Sequence, residues 1–90
     1  MYYLLINRIK AGAARETVAG AVPSHIAWIS ELIANGSIAQ SGKWGDKGGM
    51  ILLRAESMEE AERLAGGDPF VKEGLVEYEI DRLFPDVKIE

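Results

Sequence analysis

Four strand-like runs separated by two helix-like stretches constrain this chain more than any single residue does, because their order admits few folds. Tyr2 to Ile9 is rich in aromatic and β-branched residues and is almost continuously apolar up to Asn7, which predicts a central strand covered on both faces. Ser37 to Trp44 and Met50 to Ala55 read as two more strands joined by the hairpin connection Gly45-Asp46-Lys47-Gly48-Gly49. Leu75 to Phe84 is the fourth, with Val76, Tyr78 and Ile80 on one face and Glu77, Glu79 and Asp81 on the other.

Between the first two strands, Ala11 to Ala21 reads as a loop or loose helical turn. Pro23 suits a first helical turn, where its missing N–H costs nothing, and Gly36 suits the left-handed residue past a helix end. These signals predict a helix over Val22 to Asn35, with Ile26, Ile29, Leu32 and Ile33 at helical spacing. It is too apolar to face water along a whole side, so it packs on the sheet and also meets a partner subunit or a covering loop. Ser57-Met58-Glu59-Glu60 has the form of a capping box, with the Ser57 hydroxyl accepting from the Glu60 N–H and the Glu60 carboxylate returning to the Ser57 N–H. The helix it opens runs to Ala65. Asp68-Pro69-Phe70-Val71-Lys72-Glu73-Gly74 then reads as one more turn, with Asp68 as cap, Pro69 at the first helical position and Gly74 as stop. Pro85 ends strand pairing, and residues 85–90 form a C-terminal tail of a single 1–90 domain.

Strand, helix, strand, strand, helix, strand is the split βαβ order of ferredoxin-like α+β folds: a four-stranded antiparallel sheet with helices on one face. The other face is left bare. A second copy of the chain is its simplest cover, which predicts a homodimer or a higher homo-oligomer.

Charge and composition narrow the chemistry. Met1 to Ala55 carries six basic and three acidic residues, whereas Glu56 to Glu90 carries four basic and eleven acidic. No basic stripe is present to displace counterions from phosphates, so nucleic acid is not an expected partner. The apolar opening Met1 to Ile6 is too short for a signal-peptide core or a membrane span, which makes the cytoplasm the expected location and a membrane an unexpected partner. With no cysteine, disulfides, thiolate metal sites and cysteine nucleophiles are excluded. One histidine with scattered carboxylates lacks zinc-ligand spacing, so no metal is expected, and no cofactor either. The glycine-rich stretch Gly42 to Gly49 lacks the Gly-Lys-Ser/Thr ending of a phosphate loop and joins two strands. Ser24 and Ser41 stand in no nucleophile-elbow sequence.

Several of these segments together resemble the YCII-related (YciI-like) domain: the helix-borne His25 leading to Gly36, Gly48-Gly49 before an apolar strand, Glu56-Ser57-Met58-Glu59-Glu60-Ala61, and above all Asp68-Pro69-Phe70-Val71-Lys72-Glu73-Gly74-Leu75-Val76. The resemblance implies a dimeric α/β barrel built from ferredoxin-like protomers, with a histidine and an aspartate as the active-site pair, here His25 and Asp68. In that arrangement Asp68 accepts a hydrogen bond from one ring nitrogen and fixes the tautomer, while the other nitrogen moves protons near neutral pH. Proton abstraction, elimination, isomerisation or hydrolysis of a small cyclic or aromatic metabolite would all fit. One departure stands out. Where the family often has Ala-Gly-Pro at the end of the second strand, this chain has Ser41-Gly42-Lys43.

Lys43 and Trp44 are candidates to receive an anionic aromatic compound, by charge and by stacking. Tyr3, Asn7, Ser41 and Phe70 are further candidate substrate contacts. The competing readings are structural: Asp68 as a helix cap only, His25 as a packed histidine, Lys43 as a solvated cation and Trp44 as barrel or dimer core. They add up to a non-catalytic ligand-binding or structural dimer module with the same barrel.

Overall fold

The computed structural model of the chain describes residues 1–88. Its sheet has the strand order β2-β3-β1-β4, built from β1 (Tyr2–Ile9), β2 (Ile38–Trp44), β3 (Gly48–Arg54) and β4 (Val76–Leu83). All three pairings are antiparallel. The helices α1 (Arg15–Ala34), α2 (Met58–Ala65) and the four-residue α3 (Pro69–Lys72) cover one face. This is the ferredoxin-like α+β arrangement.

Central β1 shows the consequence of alternation. Tyr3, Leu5 and Asn7 are buried toward the helices, whereas Tyr2, Leu4 and Ile6 on the opposite face are half-buried. The central position expected from the apolar run is therefore present. Among the described residues, only the helix-facing side is covered. Leu5, Ile38, Ile51 and Leu53 lose essentially all exposure, and each contributes about 1.5–3 kcal/mol of hydrophobic stabilisation.

The largest departure from expectation is α1, which begins at Arg15 rather than Val22, so that most of the expected loop is helix. Its N-cap, Ala14, supplies no side-chain hydrogen bond, and Pro23 lies in the helix interior rather than in its first turn. Packing decides the matter. Val18, Ala21, His25, Trp28, Ile29 and Leu32 follow helical spacing and are the shielded positions along α1. Pro23 forgoes the bond to the Ala19 carbonyl, but both residues are exposed, so solvent can serve that acceptor. Gly36 ends the segment at φ +87°, in the left-handed conformation expected.

α2 is capped as anticipated by the Ser57 hydroxyl, 3.1 Å from the Glu60 N. The reciprocal bond differs by one position: Glu60 Oε1 accepts from the Glu56 N–H at 3.3 Å, not from Ser57. β4 is one residue shorter at each end than expected, and Gly74 at φ +67° is the stop after α3. Residues 85–88 form no strand. The last two residues of the expected tail lie outside the described residues.

Register, which periodicity could not fix, is set by the turn at Gly45-Asp46-Lys47, where the Lys47 N–H bonds to the Trp44 carbonyl. It pairs Trp44 with Gly48 and Lys43 with Gly49. On the far side Gly48 meets Arg8 and Gly49 meets Asn7. Directly opposed residues share a face, so Lys43, Gly49 and Asn7 form one row toward the helices and Trp44, Gly48 and Arg8 form the next row, facing away.

Candidate active site

The Asp68-Pro69-Phe70 turn brings chemistry to α1. Asp68 is fully buried, and its Oδ1 accepts the Phe70 N–H at 3.0 Å, so the cap reading holds. The same oxygen lies 2.7 Å from His25 Nδ1. Capping and pairing coexist because a carboxylate has about four acceptor sites. A carboxylate only accepts, so Nδ1 carries the shared proton and Nε2 is the ring nitrogen left for other work.

Three further side chains complete the cluster. Asn7 Nδ2 donates to Asp68 Oδ2 at 3.4 Å, which gives the buried carboxylate a third donor. Phe70, carried by the same turn, stacks on the imidazole with centroids 4.2 Å apart and planes 13° from parallel. Trp28, one turn along α1, lies tilted at 6.1 Å. The imidazole is thus held at Nδ1 and against one face. It keeps 15% side-chain exposure, against none for Asp68, so the pair has an accessible acid/base end and a sealed anchoring end.

His25 opens into a cavity of about 480 Å³ between α1 and the β1–β3 side of the sheet, within the usual range for small-molecule sites of roughly 300–1,000 Å³. Its walls are mainly aliphatic, with Val22, Ile26 and Ile29 from α1 and Ile51 from β3, joined by Phe70. The polar lining is sparse: His25, Asn7, Ser41 and Lys43. Asn7 Oδ1 is buried without a hydrogen-bond partner, and the amide cannot turn this oxygen to Asp68 without losing its bond to the carboxylate.

The structure therefore gathers five of the weaker and stronger candidates, His25, Asn7, Ser41, Lys43 and Phe70, around one cavity, with Asp68 directly behind His25. Two others lie elsewhere. Tyr3 is only 4% exposed and belongs to the core, four residues down β1 from the polar end. Trp44 is on the opposite sheet face, with Arg8 and Lys47 at 4.9 and 5.0 Å from its ring centroid. Tyr3 shares the face of Asn7 and is separated from the cavity by distance along the strand, whereas Trp44 is one residue from Lys43, and an odd-residue step changes the face. Val18 also lines the cavity but was hidden by the late helix start expected from Pro23. Asn7 had a signal, as the residue that breaks the apolar run of β1. Among the described residues no cluster of three or more His, Cys, Asp or Glu side chains could hold a metal ion, and no helix is long and apolar enough to cross a membrane.

Gly49 is the cavity's floor. A Cβ there would meet only the Gly42 carbonyl oxygen, at 3.3 Å, and a longer side chain would rise between Asn7 and Lys43. Gly49→Leu is accordingly expected to abolish uptake of phenol, followed by NMR titration, while far-UV circular dichroism stays unchanged. Undiminished uptake would place the binding space elsewhere.

Comparison with known proteins bears on the family and the fold. The pattern of the YCII-related domain matches residues 1–83. Among solved structures, the 5-chloro-2-hydroxyhydroquinone dehydrochlorinase of Burkholderia phenoliruptrix AC1100, in complex with 2,5-dihydroxybenzoquinone, superposes with a TM-score of 0.78 at 23% sequence identity, over 93% of this chain and 94% of that one. At that identity the likeness is one of fold. A search of curated protein sequences finds no match.

Proposed function

The chain belongs to the YCII-related domain family, and from that premise we propose that it is a small-molecule enzyme in which His25 is the general acid/base and Asp68 its orienting partner. The observation that carries this reading is the 2.7 Å contact between His25 Nδ1 and the sealed Asp68 carboxylate, at the wall of a mostly apolar cavity. Nε2 accepts a proton from the bound molecule, and the imidazolium so formed is stabilised through Nδ1–H by Asp68. The electron pair released on the substrate forms a double bond as a leaving group departs, or moves onto a neighbouring oxygen. The first route is elimination and the second is enolisation and isomerisation. Similarity to a dehydrochlorinase favours elimination from a ring compound. The half-buried face carrying Leu4, Ile6 and Leu52, with Met50 at 41% exposure, supports a homodimer closed over that face.

The test is a panel of halogenated phenols, hydroxyquinones and cyclic ketones incubated with the protein in deuterated buffer, read by proton NMR for halide-coupled loss or for deuterium uptake at carbon. Turnover of at least one compound is expected. Compounds that bind and are never turned over would assign the cavity to a ligand-binding module instead.

A further inference from the structure

The cations at the β2–β3 hairpin have unequal surroundings. Arg8 and Lys47 sit over the Trp44 ring on the face away from the helices. Lys43 belongs to the other face by register, opposite Gly49, and it lines the cavity. Because Gly49 has no side chain, nothing stands between Lys43 and Asn7 across that row. Among the described residues no carboxylate lies within 4.0 Å of Lys43, the ion pairs being His25–Asp68 and Arg63–Glu60. No carboxylate lines the cavity either, since Asp68 is sealed behind His25. The result is a mostly apolar chamber with one permanently charged group at its edge, and that charge is positive.

We propose that Lys43 makes this cavity selective for small ring compounds bearing a negative charge, a carboxylate or a phenolate-type oxyanion, with the ring lying among Ile26, Ile29 and Phe70 beside His25. The inference rests on the cavity's being the substrate site, and it names the substrate class. Apolar walls exclude water from part of the ion pair's surroundings, which strengthens the attraction over its value in bulk solvent. They also accept the ring, which a solvated surface lysine could not do. The charge fixes which end of the molecule points away from the imidazole, so that the reacting carbon is presented to Nε2 rather than the anionic group.

Binding of two matched probe pairs to the full chain tests this by calorimetry at pH 8. Benzoate and benzamide have nearly the same shape and differ in charge; 4-nitrophenolate and 4-nitroanisole form the phenolate arm. The wild type is expected to bind at least one anion about 10-fold more tightly than its neutral counterpart, the usual worth of a hydrogen bond to a charged group. The arm showing the larger ratio identifies the anion. In Lys43→Gln that ratio falls to about 2-fold or less with neutral-probe affinity unchanged, and Lys43→Arg restores it. Lys43 is exposed, so these variants fold. His25→Asn keeps the preference. An unchanged ratio in Lys43→Gln, its loss in His25→Asn instead, equal binding of anion and neutral probe, or binding of neither pair overturns the proposal. These measurements read affinity and not turnover. Their failure leaves the acid/base assignment standing, and absence of turnover with the anion preference intact removes only that assignment.

Discussion

Replacing His25 with alanine is expected to lower turnover by about 10²–10⁴-fold, the range for losing a positioned general acid/base, and adding Asp68→Asn to it is expected to lower turnover no further. In the proposed mechanism the two residues act as one unit, because Asp68 is sealed behind the imidazole that it orients. Asp68→Asn alone keeps the shape, but Oδ1 serves both the Phe70 N–H and His25 Nδ1, and one amide atom cannot accept from the first and donate to the second. With the carbonyl oxygen turned to accept from Asn7 Nδ2, the amide nitrogen takes the Oδ1 position, gives up the Phe70 cap and donates toward Nδ1. That reverses the tautomer and leaves Nε2 carrying the proton it is meant to take, a change that costs up to about 10⁴-fold in a serine protease triad. The check is a double-mutant cycle on the compound found by screening, with nitrogen-15 NMR of the imidazole reporting the tautomer. A further drop when Asp68→Asn is added to His25→Ala would show that Asp68 acts by a route independent of His25.

Gly48→Ala is expected to be the most damaging single-methyl change in the sheet. A Cβ at Gly48 would collide with the Asn7 carbonyl oxygen and crowd Arg8 Cα at 3.1 Å. These are backbone atoms of the central strand and cannot rotate away. β1 and β3 must separate locally, at a cost of about 3 kcal/mol, or roughly 10 °C or more in thermal midpoint for a domain of this size. Gly49→Ala, one residue on, asks the Gly42 carbonyl to move by only a few tenths of an ångström. Thermal denaturation of the two variants side by side gives the answer. Equal losses at both positions would mean that the close approach at Gly48 is absent in solution.

Local chemistry made much of this molecule readable in advance. Ser57 and Asp68 cap their helices from the side-chain pattern alone, Gly36 and Gly74 terminate theirs, and the order of strands and helices fixes the fold. The α1 start was not readable that way. Its N-terminus has no side-chain cap, and burial of Ala21 with partial burial of Val18 outweighs the boundary signal at Pro23. The pairing of His25 with Asp68 spans 43 positions, so no local spacing reveals it. It became legible through the family resemblance around Asp68-Pro69-Phe70. The separation of Lys43 from Trp44 depends on hairpin register, a one-residue choice that apolar alternation leaves open in a glycine-rich connection. Asn7 was legible as an oddity and not as a partner of Asp68, because that contact needs α3 placed over the end of β1.

A single carboxylate oxygen joins the Phe70 N–H at the start of α3 to the His25 ring, while the aromatic ring of that same Phe70 lies flat on the imidazole. The rotamer freedom of His25 is therefore lost once, when the chain folds, rather than in every catalytic cycle. In the proposed mechanism, a substitution at Pro69, which does not line the cavity, would loosen this turn and surface as a less favourable activation entropy with ligand affinity intact.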